Sequence, residues 1–104
     1  MNSFIKRSLA ERTTCYNKLH EQYPNYLYII LQVEGQELTL IIPKHWTTSQ
    51  LIMEIRKKKK LDPNVTYYLA QNNIIHKGYT LVKELNKNSD GFYYLTICQQ
   101  EAFG

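Results

Sequence analysis

Tyr26-Leu27-Tyr28-Ile29-Ile30-Leu31-Gln32-Val33, then Glu34-Gly35-Gln36, then Leu38-Thr39-Leu40-Ile41-Ile42, is the stretch whose reading decides the fold. Both apolar runs are rich in β-branched and aromatic residues, which suit a pleated, half-buried surface. The residues between them are too few for anything but a tight hairpin. Pro43 ends the second run, because it has no N–H to give to a ladder.

Upstream of the hairpin, Leu9, Arg12, Tyr16, Leu19 and Tyr23 recur at spacings of three and four, one face of a helix over 8–23. Ser8 suits its N-cap, with Glu11 three residues on. Pro24 closes it, since the residue before a proline is pushed out of the α region. Downstream, Thr47 and Gln50 form a second capping-box pair, and Leu51, Ile52 and Ile55 give that helix its buried stripe. Lys57 to Lys60 crowd its last turn, where cations complement the macrodipole. Asp62-Pro63-Asn64 is turn chemistry, Val65 to Ala70 a third strand, and Asn72-Asn73 another turn. Thr80 to Asn86 reads as a short helix, Asn88 to Gly91 as a turn, and Phe92 to Cys98 as the last strand.

The order is helix, hairpin, helix, strand, short helix, strand. A hairpin, a crossing helix and a returning strand make an α+β fold of the ubiquitin-like β-grasp kind, with a four-stranded mixed sheet and an added N-terminal helix. First and last strands then lie side by side at the sheet centre, which accounts for their being the most apolar. The expected organisation is a single domain: an N-terminal helical extension over 1–24, a core over 25–98 and a flexible tail over 99–104.

Composition fits a folded domain: of 104 residues, 43% are hydrophobic and 21% charged. The nine tyrosines suggest sheet faces or a contact surface. The net charge of +4 is modest and locally concentrated in Lys57 to Lys60, which argues against a nucleic-acid partner. Two cysteines make no disulfide framework, and no apolar stretch reads as a signal peptide or membrane span. The reading is a soluble, intracellular protein with reduced thiols.

Catalytic constellations are lacking. Cys15 and His20, the one thiol–imidazole candidate, are about 140° apart around a helix axis and face different ways. The cysteines and histidines have no metal-ligand spacing, and the glycines form no phosphate loop, so neither metal nor cofactor is expected and the protein is read as no enzyme. The lysine run reads first as a solvated helix cap and second as a contact for an acidic partner or an anionic lipid surface.

Asp90-Gly91-Phe92-Tyr93-Tyr94-Leu95-Thr96, followed by Gly104, resembles the last strand and terminus of the autophagy-related protein 8 family of ubiquitin-like modifiers. That family includes the microtubule-associated protein light chain 3 and GABA-receptor-associated protein types. The resemblance extends through Glu11-Arg12, Gln22-Tyr23-Pro24-Asn25, Ile41-Ile42-Pro43, Ile55-Arg56-Lys57, Leu61 and Asn72-Asn73, which covers nearly the whole chain.

The resemblance implies that Gly104 is the working group. It would be activated by adenylation, passed between enzyme cysteines as a thioester, and joined as an amide to phosphatidylethanolamine. A terminal glycine is unhindered, and six tail residues can reach about 20 Å into an active-site channel. Implied partners are activating and conjugating enzymes, a processing and deconjugating cysteine protease, motif-bearing cargo receptors and the lipid membrane itself. Implied locations are the cytoplasm and, once lipidated, the autophagosome membrane.

Two hydrophobic pockets that take short receptor motifs are also implied, with the peptide adding a strand to the hairpin edge. The first would comprise Leu19, Tyr28, Ile41 and Phe92; the second Leu40, Ile42, Pro43, Trp46, Leu51 and Lys58. This chain departs from the family at several places. Glu37, Leu38 and Thr39 stand where lysines meet acidic residues flanking the motif, Tyr28 where proline is usual, Cys15 for an acid, Glu54 for an apolar residue, and His76-Lys77 for a Pro-Pro pair. The alternatives are a modifier of the autophagy-related protein 12 type, joined to a protein lysine, and an unconjugated β-grasp interaction module.

Overall fold

In the computed structural model, which describes residues 3–99, the hairpin forms as β1 (Tyr26–Val33) and β2 (Gln36–Pro43). Val33 pairs with Gln36, so the turn is Glu34-Gly35 alone, both at positive φ (47° and 78°). A two-residue turn of that kind matches the twist of the strands, and Gly35 takes the left-handed conformation without a Cβ penalty. After the hairpin come α2 (Thr48–Lys59), β3 (Tyr67–Gln71), β4 (Ile74–His76) and β5 (Tyr93–Gln99). A short 3-10 turn (Phe4–Lys6) and α1 (Leu9–Gln22) precede it.

The sheet order is β2-β1-β5-β3-β4, with β1 and β5 parallel (Ile29 opposite Tyr93) and all other neighbours antiparallel. The ubiquitin-like fold is therefore built on five strands, a correction to the four expected. Asn72 and Asn73 both take positive φ (52° and 66°), and the chain folds straight back so that Ile74 pairs with Gln71. A three-residue strand is too short to produce an alternation. Its last residue, His76, the first of the His76-Lys77 pair, lies opposite Leu69 and keeps the N–H that a proline there would lack.

The expected helix over Thr80–Asn86 contracts to one 3-10 turn, Val82–Glu84. The cause is the preceding backbone. Thr80 O accepts from Thr48 N (2.8 Å), Gly78 O accepts from Ser49 N (2.9 Å), and Leu81 bridges to Thr47. The segment is committed to satisfying the N–H groups at the start of α2: it turns over residues 78–80 and enters the 3-10 turn through an extended Leu81. Thr47 caps α2 as expected, with both arms of the capping box made with Gln50.

The sheet is covered on both faces. Leu27, Ile29, Leu31 and Val33 face α2, where Leu51 and Ile55 are fully buried and Ile52 partly so. Tyr28, Ile30 and Phe92 face α1 and the N-terminal 3-10 turn. This explains the unbroken apolarity of β1: its alternate side chains enter two different cores. β5 continues to Gln99; residues 100–104, which hold most of the expected tail and Gly104, lie outside the described residues.

Candidate functional site

α1 is held on the sheet by rings and by one ion pair. Tyr16, Leu19 and Cys15 pack on the small core of Phe4, Tyr28, Ile30 and Phe92. Tyr16 meets Tyr28 edge-on at 5.4 Å, and Phe4 meets Phe92 at 4.9 Å. Such aromatic pairs contribute about 0.5–1.5 kcal/mol each beyond their burial. Leu9 and Tyr23, the two ends of the expected helical face, are exposed. The face that docks is the middle of the row.

The members of the expected first pocket meet here. Tyr28 and Phe92 lie under α1, whose Leu19 packs on their cluster, and Ile41 sits opposite Tyr28 in the β1–β2 register. They differ in access: Tyr28 is 2% and Phe92 0% exposed, whereas Ile41 is 36% exposed. The Tyr28 ring fills the space between α1 and Phe92, and its hydroxyl donates to Tyr23 O. Burial, with Tyr16 alongside, pushes the Tyr28 phenol above its ordinary value.

The second set divides between core and surface. Leu40, Ile42 and Leu51 belong to the main core beneath α2, with Trp46 packed against it. Pro43 is half-buried, and Lys58 is exposed, 3.9 Å from Glu54 on the next turn of α2. Both sets border β2, whose outer edge is unpaired among the described residues. An unpaired edge presents backbone donors and acceptors that an extended peptide can use.

Glu37, at a position where the family has a lysine, has an internal role. Its carboxylate accepts from Phe4 N (2.9 Å) and from Gln32 Nε2 (3.0 Å), tying the N-terminal 3-10 turn to the hairpin. Sequence reasoning also missed a buried polar network. Arg12 Nη1 donates to Asp90 Oδ2 at 2.6 Å, Tyr94 donates to the same carboxylate, and Phe92 N donates to Asp90 Oδ1 at 2.9 Å. Burial pushes the Asp90 carboxyl up, but bonds from Tyr94, Phe92 N–H, Arg12 and Asn88 outweigh it, so its pKa lies below the ordinary value. Tyr94, half-buried and bonded to that carboxylate, is pushed up to about 12. The one available signal was a charged residue, Arg12, on an otherwise apolar helical row.

Cys15 is half-buried against the small core, while His20 is exposed and stacked on Tyr16 at 5.6 Å. Among the described residues no three His, Cys, Asp or Glu side chains come together as a metal site, and no helix is long and apolar enough to cross a membrane.

Comparisons with known proteins agree with this architecture. The family model described as autophagy protein Atg8, ubiquitin like, matches residues 11–104. The chain is 27% identical over 107 residues to autophagy-related protein 8 of Schizosaccharomyces pombe, covering 93% of this chain and 88% of that one. To human microtubule-associated protein 1 light chain 3 gamma it is 26% identical, covering 95% of this chain and 76% of the relative. The crystal structure of Trypanosoma brucei ATG8 superposes with a TM-score of 0.84 over the whole of both chains at 22% identity, a likeness of fold. The chain belongs to the Atg8 family of ubiquitin-like autophagy proteins.

Proposed function

We propose that this protein is a modifier, not an enzyme, that becomes conjugated through Gly104 to phosphatidylethanolamine and then docks short hydrophobic receptor motifs on autophagosomal membranes. The observation that carries the reading is that the family match runs through the final strand to Gly104 itself. In the proposed reaction the Gly104 carboxylate attacks the α-phosphate of ATP and pyrophosphate leaves. An enzyme cysteine then displaces AMP. The lipid amine displaces that thiol and gives up a proton, leaving an amide. The chain's own contribution is an unhindered acyl group on a segment that follows β5.

Docking would use the outer edge of β2, with Ile41, Pro43, Trp46 and Lys58 as the accessible members of the two residue sets. Tyr28 occupies the position of the first anchor, so entry of a large aromatic side chain requires that ring to move. Activating and conjugating enzymes, a processing and deconjugating protease, and motif-bearing receptors are the implied partners, and a cytoplasmic pool would exchange with a membrane-bound one. The test is reconstitution with purified activating and conjugating enzymes and vesicles containing phosphatidylethanolamine. The reading predicts a lipid adduct that a chain lacking Gly104 does not form. Transfer only to a protein lysine would favour the autophagy-related protein 12 type instead.

A further inference from the structure

A concave feature lies at the open end of the β1–β2 hairpin, where β2 ends. Between the C-terminal half of α1, the start of β1 and the segment leading into β5 is a cleft of about 300 Å³. Lys44, Lys83, Lys87 and His20 line it, along with the rings of Tyr16 and Tyr26. No acidic side chain lines it, and among the described residues none of the three lysines has an ion-pair partner. Glu21 and Glu84, sequence neighbours of His20 and Lys83, are exposed and are not part of the lining. The floor is formed by the buried Leu27, Tyr28, Gly91 and Tyr93.

The sequence does not announce this cluster, because its basic residues come from four separate segments. Lys44 follows the end of β2, Lys83 sits in the 3-10 turn, Lys87 in the loop after it, and His20 on α1. The walls are kept in place by contacts already needed for folding. Tyr16 is stacked against His20 at 5.6 Å and carries the Lys87 ammonium 5.6 Å from its ring centroid. A Cβ on Gly91 would lie 2.2 Å from that same ring.

Uncompensated cations gathered around a recess repel one another, and an anionic ligand relieves that repulsion. We infer that this cleft is a docking site for an acidic peptide segment, with carboxylates at the lysine rim and an apolar or aromatic side chain against the tyrosine walls. The shape favours a peptide over a membrane surface. The cations border a recess lined by rings, whereas the charges suited to a flat anionic surface are those of Lys57 to Lys60, exposed at the end of α2. Tyrosine walls add contact area at low entropic cost, as in peptide- and protein-binding surfaces generally. The site requires neither Gly104 nor conjugation, so its failure and the failure of the lipid-modifier reading are separable.

The experiment titrates the full, unconjugated chain with a fluorescein-labelled peptide of glutamates around one phenylalanine, with amide shifts recorded in parallel. Binding is expected to shift Leu27, Gly91 and Tyr93, to weaken as salt rises, and to fall about tenfold or more in the double variant K83E/K87E. K57E/K60E, which removes charge from the other cluster, is expected to leave it within about twofold. The inference is overturned if K83E/K87E binds as tightly as the parent, or if the loss follows K57E/K60E instead. It is equally overturned if a peptide with lysines in place of the glutamates binds as well. Capture by anionic phosphatidylserine vesicles with no shift on adding the peptide would assign the cations to a membrane and also overturn it.

Discussion

Arg12 on α1 and Asp90 in the turn before β5 are 78 residues apart in sequence and joined at 2.6 Å, with the Asp90 side chain wholly buried. This bond clamps the N-terminal helix to the ubiquitin-like sheet. Because Asp90 also accepts from Phe92 N and Tyr94, removing it leaves several buried donors without partners. Asp90→Ala is expected to cost about 2 kcal/mol of stability, measured by urea unfolding.

The same network sets the pH limits of stability. The folded Asp90 carboxyl is held below its ordinary value of 3.8, so its contribution is complete above that pH and is lost as pH falls through it toward the lowered value. Tyr94 acts at the other end. Raised from 10.0 to about 12, it contributes fully below pH 10 and loses that contribution as pH climbs to about 12. Unfolding midpoints across pH should show both arms, with Asp90→Asn flattening the acid arm and Tyr94→Phe the alkaline one. Unchanged slopes in these variants would contradict the assignment.

Gly91 is constrained twice, by a φ of +97° and by the Tyr16 ring, which an added Cβ would approach to 2.2 Å. Gly91→Ala is therefore expected to destabilise by about 1–3 kcal/mol from backbone strain alone, with displacement of Tyr16 adding to it. Chemical shifts of Tyr16 and His20 should move together in this variant. A melting temperature equal to that of the parent would show that the turn can adopt another conformation.

Tyr28 decides what the first set of residues can accept. Tyr28→Ala removes a ring packed between α1 and Phe92 and is expected to cost about 3–5 kcal/mol, as for other buried aromatic truncations. The vacated space should then admit a peptide bearing a large aromatic anchor. Calorimetry with such a peptide is expected to give tighter binding to the variant than to the parent, provided the variant is kept below its melting temperature. Equal or weaker binding would show that Tyr28 does not obstruct the site.

Glu37 has an exchange signature. Its carboxylate holds Phe4 N, so Glu37→Ala should speed hydrogen exchange over residues 4–7 while costing about 1 kcal/mol globally. Unaltered exchange there would place the anchoring of the 3-10 turn in the Phe4–Phe92 ring contact alone.

The parts legible in the sequence are those whose determinants are local. Ser8 accepting from Glu11 N, the Thr47–Gln50 capping box and the Glu34-Gly35 turn all act within a few residues, and each is found where the residue pattern puts it. The central pairing of β1 with β5 was legible because two unbroken apolar strands must both be interior. β4 was not, since three residues give no period. Nor was the shortened helix near Val82, because the carbonyls of the segment before it answer donors on α2, some thirty residues earlier. The candidate site divides the same way. The family resemblance grouped Leu19, Tyr28, Ile41 and Phe92, but only packing reveals that the Tyr28 ring is buried among them. The Arg12–Asp90 bond and the lysine cleft depend wholly on tertiary convergence.

The proposed modifier role makes Gly104 the chemically active end of the molecule. Mass spectrometry of the protein recovered from cells in which autophagy has been induced, intact and after digestion, reads this out. The expected result is a C-terminal fragment ending in Gly104 that carries the added mass of phosphatidylethanolamine and is absent from a chain lacking that glycine. A membrane-recovered protein whose Gly104 is unmodified, or whose added mass maps to another residue, would contradict it.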